Sequence, residues 1–327
     1  MIVILSTLNG ETRLRRMLEA MLNVRLPAGT KFHVVDNGSE DGTLDLLAEY
    51  AGRLPLVIYN QPVRGKNHCL NLVLAAVRKT LDPEELVVLT DDDILPCPEW
   101  LEELQAAGQA YPDCDVFGGR ILPHWPSRGA GKLDSVQRHF GVLFSLTSAQ
   151  EGPISCDAAW GPNMAVRGRV FKMGYTFDPQ FGPNGQMGYP MGSETELMER
   201  LDAAGHRAWF AERACVRHII RAAQLDTVNI IQRAFRHGYG VGWRRQRDRG
   251  ITRLASLQFN ALRALVLAQF RRLVSSPNQM LLAEYEDAWA RGFAHGSLSE
   301  YRRASAAAKF QTEFPERRSV SRDPLNH

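Results

Sequence analysis

The sequence predicts an α/β fold, with a mostly parallel central sheet, helices on both of its faces and a helical appendage at the C-terminus. The first observation behind this prediction is a strict alternation of strand-like and helix-like patterns through the first 122 residues, which is typical of parallel sheets with crossover helices. The second is an arginine-rich helical pattern from about residue 225 onward. With 44% hydrophobic and 23% charged residues among 327, the composition excludes a mainly disordered chain.

Four strands are predicted in the first half of the chain, and the fourth, a run of four apolar residues, is typical of a strand buried on both faces. They are Ile2 to Leu5, Lys31 to Val35, Leu56 to Tyr59 and Leu86 to Leu89. Helices are predicted after each strand from apolar residues at helical spacing. These helical patterns begin near Leu14, Thr43, Leu70 and Leu101.

A fifth predicted strand, Val116 to Leu122, is followed by a change of pattern. Residues 123–192 are rich in glycine, proline and aromatic residues, which favours a substrate-binding surface. A helix is then predicted from Ser193 and a strand at Ala208 to Phe210. We therefore expect a catalytic domain over residues 1–220, with a nucleotide-binding half (1–122) and an acceptor half (123–220). An arginine-rich helical region with a loose tail is expected over 221–327.

Charge is unevenly distributed, although the whole chain carries only +3. Between Arg217 and Val274 there are twelve arginines, no lysine and two acids, a net charge of +10, whereas the rest holds 27 basic and 34 acidic residues, a net charge of −7. The basic appendage predicts an anionic partner, and we expect no nucleic acid. Five scattered cysteines, no secretory signal and no apolar run of ~20 residues favour a reduced cytoplasmic protein.

Three consecutive carboxylates, Asp91, Asp92 and Asp93, end the fourth predicted strand. The carboxyl ends of parallel strands are where open α/β sheets bind ligands. In an extended segment Asp91 and Asp93 point the same way, so both are candidates for one divalent metal that also holds a phosphate. The alternative is a solvated acidic turn before a helix start at Pro96 to Trp100.

Five short motifs occur in a specific order and spacing. They are residues 34–43 (VVDNGSEDGT), Gly65-Lys66 through Leu70-Asn71, Asp91 to Asp93, residues 160–165 (WGPNMA) and residues 192–197 (GSETEL). Together they resemble the inverting family-two glycosyltransferases with the GT-A fold. The Gly-Lys…Leu-Asn variant implies a UDP-sugar donor. Residues 232–236 do not fit the Gln-x-x-Arg-Trp motif of processive members, which implies a non-processive enzyme.

The resemblance implies a donor site at the ends of the first strands. It assigns Thr7, Asp36, Lys66, Asn71 and Asp91 to the binding of the nucleotide-sugar. Among these, Asp36 would bind the base, Lys66 the diphosphate and Asp91 the ribose. It assigns Asp93 as a ligand of Mn²⁺ or Mg²⁺, with Asp91 and His218 as further candidate ligands. Alternatives stay open from the residues themselves: Asp36 as a turn-former, Asn71 as a satisfied polar residue, and His218 as a structural histidine.

The same resemblance implies that Glu194 is the catalytic base, one methylene longer than the usual aspartate. Inversion needs a base opposite the leaving group to take the proton of the acceptor hydroxyl. A position in the first helical turn also suits Glu194 for the helix dipole. Glu196 is assigned to the acceptor side or, as we favour, to a capping box with Ser193.

The acceptor side is expected to contain Trp160, Gly161 and Asn163, again by resemblance. Trp160 would stack on a sugar ring or belong to the core. The acceptor itself is expected to be a saccharide or a lipid-linked molecule. For Arg221 and Arg233 the choice between phosphate contact and simple solvation stays open.

These assignments predict a metal-dependent inverting glycosyltransferase of the hexosyltransferase class, which moves one sugar to an acceptor hydroxyl in polysaccharide, glycolipid or other glycoconjugate synthesis. One alternative is a sugar-nucleotide pyrophosphorylase, but that enzyme needs a glycine-rich loop where this chain has only Gly10. Another is a non-catalytic scaffold that binds nucleotide-sugars, which the intact acidic triplet disfavours. A nicotinamide dehydrogenase would show Gly-x-Gly-x-x-Gly in the first turn, which is absent.

The appendage contains a long apolar pattern from Ile251 onward with arginines interspersed. The apolar residues are Leu254, Leu257, Leu262, Leu265, Val266, Phe270, Leu273 and Val274, and the arginines are Arg253, Arg263, Arg271 and Arg272. Such a helix can lie in the interface of an anionic membrane, peripheral on its inner face and near a lipid-linked acceptor. The alternative, which we favour slightly, is that the stripe packs on the catalytic domain or a second subunit. The oligomeric state is left open.

Overall fold

A computed structural model describes residues 1–127, 133–147, 149–186, 188–249, 262–263, 266–267, 269–270, 273, 276 and 279–313. Spatial contacts divide the chain into two compact units, Met1–Arg233 and Ala234–His327. Most of the predicted pattern from Ile251 to Val274 lies outside the described residues, and so does most of the predicted tail after Gln311.

The first part of unit one is a parallel half-sheet in the order β3-β2-β1-β4. Its strands are β1 (Ile2–Thr7), β2 (Lys31–Asp36), β3 (Leu56–Asn60) and β4 (Leu86–Leu89). The intervening helices are α1 (Glu11–Met21), α2 (Thr43–Ala51) and α3 (Lys66–Val77). Because all four strands run parallel, their carboxyl ends lie at one edge, where the chain order reverses beside β1.

The second part of unit one extends the same sheet in the order β4-β8-β6-β9-β5, with β7 on β9. Its strands are β5 (Ile94–Pro96), β6 (Val116–His124), β7 (Gly152–Ile154), β8 (Met164–Arg167) and β9 (Ala208–Ile219). Its helices are α4 (Trp100–Ala110), α5 (Phe140–Phe144), α6 (Gly168–Lys172) and α7 (Ser193–Ala203). Strands β5, β7 and β8 run against the others.

The sheet has an apolar layer on each face because successive side chains of a strand point to opposite sides. Val3 and Leu5 of β1 belong to the layer that contains α1 and α4, whereas Ile2 and Ile4 belong to the layer that contains α3 and α7. Every residue of β4 is buried. This two-sided burial explains why β1 and β4 appear in the sequence as nearly unbroken apolar runs.

The predicted fold class is confirmed: the chain is an α/β protein with one nine-stranded central sheet and helices around it. One local expectation was wrong. Asp91 and Asp93 do not continue an extended strand, because β4 ends at Leu89 and residues 92–93 form a turn into β5. The two carboxylates therefore do not need to point the same way.

Unit two contains the end of α8 (Thr227–Arg249) and the long helix α9 (Met280–Glu313). These helices meet through glycines. A Cβ added to Gly238 or Gly242 would lie 2.1 or 2.2 Å from a backbone oxygen of α9, and one added to Gly292 or Gly296 would lie 2.0 or 2.1 Å from an oxygen of α8. The contacts advance in the same direction along both helices, so the helices run parallel at close range. Among the described residues, no helix is long and apolar enough to span a bilayer.

Candidate active site

A cavity of about 290 Å³ opens at the carboxyl edge of the parallel strands. Its walls include Thr7 at the end of β1, Lys66 at the start of α3 and the three aspartates after β4. His218, near the end of β9, lines the opposite side. The structure therefore brings together five of the predicted donor and metal residues: Thr7, Lys66, Asp91, Asp93 and His218.

Each of the three aspartates has its own cationic partner. Lys66 Nζ lies 2.5 Å from Asp91 Oδ1, Arg13 Nη2 lies 2.9 Å from Asp92 Oδ2, and His218 Nε2 lies 3.2 Å from Asp93 Oδ1. Three adjacent carboxylates would otherwise repel one another in a site that is screened from water. The side chains of the protein thus offset this repulsion, and they direct the three carboxylates differently.

Lys66 links the carboxylate cluster to the candidate base. Its Nζ lies 2.5 Å from Asp91 Oδ1 and also 2.5 Å from Glu194 Oε1. Burial opposes the charged ammonium, but the two carboxylates outweigh it and raise the pKa of Lys66 above its ordinary value. Burial raises the pKa of Asp91, and so does the neighbouring charge of Glu194. The opposing effect of Lys66 does not offset them.

The geometry at the start of α3 explains how Lys66 reaches this position. Gly65 has a φ of 143°, a backbone conformation that glycine adopts without steric cost. The Gly65 backbone N–H donates to Asn37 Oδ1 at 2.8 Å, which ties the loop before α3 to the end of β2. Lys66 therefore enters the cavity from the first turn of a helix, where its flexible side chain can meet an anion.

His218 is oriented by a second hydrogen bond. Its Nδ1 donates to the Phe144 carbonyl oxygen at 2.6 Å, so Nε2 faces Asp93, and the β5–β9 pairing of Ile94 with His218 sets this approach. Burial lowers the pKa of His218, but the hydrogen bond and the charge of Asp93 outweigh burial and raise it. Burial raises the pKa of Asp93, and the hydrogen bond from His218 outweighs this to hold it below the ordinary value.

A divalent metal fits this pair of residues if the donor supplies the remaining ligands. Asp93 Oδ1 and His218 Nε2 are one carboxylate oxygen and one oriented imidazole nitrogen that face each other, as metal-binding histidines require. No cluster of three or more His, Cys, Asp or Glu side chains suited to a metal occurs in the described part of the chain. Mg²⁺-type sites commonly combine one or two carboxylates with substrate phosphates.

Glu194 lies in the first turn of α7, beside Gly161. A Cβ added to Gly161 would lie 2.5 Å from Glu194 Oε1, so the absence of a side chain at Gly161 makes room for this carboxylate. The predicted capping box was wrong: Gly192 is the N-cap, no side chain caps α7, and Ser193 is already helical. Glu196 instead accepts hydrogen bonds from Arg200 at 2.9 Å and is 2% exposed.

Seven of the predicted site residues lie outside the cavity lining: Glu194, Glu196 and Gly161, described above, and Asp36, Asn71, Asn163 and Trp160. The buried Asp36 accepts hydrogen bonds from the Gly38 and Ser39 backbone N–H groups. The side-chain amide of Asn71 donates through Nδ2 to the Phe177 carbonyl oxygen and accepts through Oδ1 from the Phe177 backbone N–H. The buried Asn163 accepts from the Trp100 indole and donates to two backbone carbonyls. Trp160 is half-buried against the core. Their roles toward donor or acceptor stay predictions.

Sequence reasoning missed Arg13 and Asn37, and it left Arg233 without a role. All three line the cavity. Arg233 Nε donates to the Val142 carbonyl oxygen at 2.9 Å and Nη2 donates to Ser145 Oγ at 3.2 Å. Polar residues that directly follow a buried strand, such as Asn37 after β2, were a usable signal. Arg13 gave none, because its partner Asp92 is 79 positions away.

A carboxylate cluster at the end of a parallel half-sheet, faced by a lysine from α3 and by a further carboxylate, is in keeping with the resemblance to glycosyltransferases of the GT-A fold. Glycosyl transferase family 2 is the family whose model matches residues 2–172, just over half of the chain. The chain therefore belongs to glycosyl transferase family 2 and is a glycosyltransferase.

Two solved structures have similar folds. Mannosyltransferase PcManGT from Pyrobaculum calidifontis, solved in complex with GDP-Man and Mn²⁺, aligns with a TM-score of 0.52 and 19% identity over 96% of this chain and 79% of that one. S. aureus TarS 1-349 in complex with UDP aligns with a TM-score of 0.51 and 15% identity over 91% of each chain. At these identities the likeness concerns the fold.

A relative by sequence is the glucosyl-dolichyl phosphate glucuronosyltransferase of Haloferax volcanii. It is 22% identical over 157 residues, which are 47% of this chain and 49% of that protein. The match thus spans about half the length of this relative.

Proposed function

We propose that this protein is a metal-dependent, inverting glycosyltransferase that moves one sugar from a UDP-sugar to an acceptor hydroxyl. The observation that carries the proposal is the position of Lys66 between Asp91 and Glu194, 2.5 Å from each. A single ammonium group thereby joins the cluster expected to face the donor diphosphate to the carboxylate expected to act as base.

In the proposed reaction Glu194 takes the proton of the acceptor hydroxyl while that oxygen attacks the anomeric carbon of the donor. The new carbon–oxygen bond forms as the bond to the diphosphate breaks, and the nucleoside diphosphate leaves with the electron pair. Lys66 stabilises the negative charge that develops on the leaving group. Asp93 and His218 would hold Mn²⁺ or Mg²⁺, which when bound supplies further charge neutralisation to the diphosphate.

Support for a nucleotide-sugar donor comes from two sources. PcManGT was solved with GDP-Man and Mn²⁺ and TarS 1-349 with UDP, so this fold accepts either nucleotide. The Gly65-Lys66 and Leu70-Asn71 motifs favour UDP for this chain. The acceptor is proposed to be a saccharide or a lipid-linked molecule, in keeping with the name of the Haloferax volcanii relative.

The experiment that tests the donor is a thermal-shift series with UDP, GDP and dTDP, each with and without Mn²⁺. A ligand that binds only the folded state raises its apparent stability in proportion to the logarithm of concentration over Kd. We expect the largest rise in unfolding temperature with UDP and Mn²⁺ together. In a separate assay with a UDP-sugar, we expect slow release of UDP. Stabilisation by no nucleotide would contradict the proposal, and binding without turnover on any acceptor would favour a scaffold.

We also propose that the appendage places the enzyme on an anionic membrane surface. Four large apolar side chains on one helical face are 58–84% exposed: Leu262, Val266, Phe270 and Leu273. No acidic residue occurs between Asp248 and Glu284, whereas five arginines do. An exposed apolar face flanked only by positive charge is complementary to an anionic lipid interface.

A further inference from the structure

Asp92 differs from its two neighbours because both of its carboxylate oxygens are occupied by the first strand-to-helix turn. Thr7 Oγ1 donates to Oδ2 at 2.7 Å. Arg13 Nη2 donates to the same oxygen at 2.9 Å, and Arg13 Nε donates to Oδ1 at 3.2 Å. Asp92 is 9% exposed, so little of it remains available to a ligand.

The guanidinium of Arg13 is itself held in place. Its Nη1 donates to the Asn9 carbonyl oxygen at 3.2 Å, and its Nη2 donates to the Leu8 carbonyl oxygen at 3.1 Å. A planar guanidinium with several bonded N–H groups fixes direction as well as charge. Arg13 therefore connects two backbone carbonyls of the first turn to the middle carboxylate of the cluster.

Gly10 shows how closely this turn approaches the cluster. A Cβ at Gly10 would lie 2.1 Å from Thr7 Oγ1 and 2.8 Å from Asp92 Oδ2. Any other residue would therefore displace the hydroxyl that bonds Asp92. The turn has no side chain at the position where Thr7 and Asp92 come together.

We propose that Thr7 and Arg13 are positioning residues, which hold Asp92 so that Asp91 and Asp93 keep their separate directions toward Lys66 and His218. Because Asp92 lies between the other two in the chain, fixing its side chain fixes the turn that orients both. The inference rests on the proposed metal-dependent donor binding. In this proposal Arg13 orients the metal-binding carboxylate of Asp93 through Asp92, although Arg13 also lines the cavity.

Three roles are open to Arg13, and they differ in which measured property changes when its side chain is removed. As a positioning residue, Arg13 affects the binding of Mn²⁺ and the metal-dependent part of UDP binding. As a direct contact for the diphosphate, it affects UDP binding equally with and without metal. A merely structural residue affects the unfolding midpoint and leaves both affinities of the folded protein unchanged.

The test compares Arg13→Met, Arg13→Lys and Thr7→Val with the wild type. Arg15→Met is the matched control, because Arg15 is on the same helix and its ion pair with Glu49 is exposed. Mn²⁺ binding is followed by electron paramagnetic resonance, with and without UDP, and UDP binding by calorimetry. We expect Arg13→Met to weaken Mn²⁺ binding about 10-fold or more, the usual scale for a residue that orients a metal ligand.

Arg13→Lys should restore part of this loss, since it returns the charge without the planar fork, and metal-free UDP affinity should stay unchanged in both Arg13 variants and in Arg15→Met. Thr7→Val leaves no buried charge unpaired, so it should fold even if Arg13→Met does not, and it should also weaken Mn²⁺ binding. An equal loss of metal-free UDP affinity, or Mn²⁺ binding unchanged in Thr7→Val, would overturn the inference. A wild type that binds Mn²⁺ but no UDP would count against the proposed function alone.

Discussion

Three consecutive aspartates have three different environments, and the difference is set by single residues. Asp91 faces Lys66, Asp92 faces Arg13 and Asp93 faces His218. Burial raises the pKa of Asp92, whereas the hydrogen bond from His218 holds the pKa of Asp93 low. The pKa values of these two adjacent carboxylates are thus shifted in opposite directions.

For the candidate base, Glu194→Gln is expected to keep UDP affinity and to lower kcat by about 100-fold or more, the scale of general base catalysis. The amide preserves the shape of the side chain beside Gly161 and removes its basicity. Steady-state rates with a UDP-sugar and calorimetric UDP binding measure the two effects. Glu199→Gln on the same helix is the control. Near-normal turnover of Glu194→Gln would contradict the assignment, and a loss in Glu196→Gln would then identify the base.

For the candidate metal ligand, Asp93→Asn is expected to abolish the Mn²⁺-dependent part of UDP stabilisation. The amide keeps the shape of the side chain beside His218 but removes the negative charge that a divalent cation needs. Thermal unfolding with UDP, with and without Mn²⁺, measures this difference. Asp113→Asn, whose side chain is 81% exposed, is the control. A variant that still responds fully to Mn²⁺ would place the metal elsewhere.

Among the elements, β8 depends on one buried guanidinium. Arg167, at the end of β8, is 3% exposed and donates to the carbonyl oxygens of Gly108, Tyr111 and Cys114, at and beyond the end of α4. The last carbonyls of a helix lack partners within the helix, and a cation there also suits the helix dipole. Arg167 therefore joins a central strand to a helix on one face of the sheet.

Arg167→Met is expected to lower the free energy of unfolding by about 2–5 kcal/mol, because it leaves several buried carbonyl groups without donors. Urea unfolding followed by circular dichroism measures the change. Arg207→Met removes an exposed arginine whose ion pair with Asp113 spans 3.5 Å, so it should change stability by less than about 0.5 kcal/mol. Similar results for the two variants would contradict this account.

The elements that the sequence predicts well are those whose signal is local. Strands β1 and β4 were predicted because burial on both faces leaves continuous apolar runs. Strands β5, β7 and β8 were not, because they contain three or four residues and are defined by pairing with distant strands. The same distinction applies to the site residues. Lys66 and Asp93 belong to local motifs that the sequence reveals, whereas the hydrogen bond from Thr7 to Asp92 spans 85 positions.

At the scale of the whole molecule, charge and apolar exposure are concentrated in the appendage. Leu262 and Phe270 are 61% and 62% exposed, in a segment without acidic residues. In the described part of unit two, α8 and α9 run parallel in glycine-mediated contact. The sequence predicted the arginines and the apolar spacing, but the glycine contact depends on two segments about 54 residues apart and has no local signal.

The membrane proposal predicts that the full chain sediments with vesicles of phosphatidylglycerol and phosphatidylcholine, and less so as salt is raised. Vesicles of phosphatidylcholine alone should bind weakly. The double variant Phe270→Gln and Leu273→Gln should remove the binding, whereas Met173→Gln, which replaces a 61% exposed side chain in unit one, should not. Protein that stays in the supernatant at low salt, and that forms dimers in light scattering, would instead assign the apolar face to a second copy.

The shared contacts of Lys66 have a consequence for the order of events in a turnover. While Lys66 holds Glu194 as well as Asp91, the candidate base carries an ionic partner that competes with an incoming hydroxyl. Arrival of the donor diphosphate offers Lys66 a stronger anion and leaves Glu194 available to the acceptor. We therefore expect a compulsory sequence, donor first and acceptor second. In initial-rate kinetics, UDP should compete with the donor and not with the acceptor.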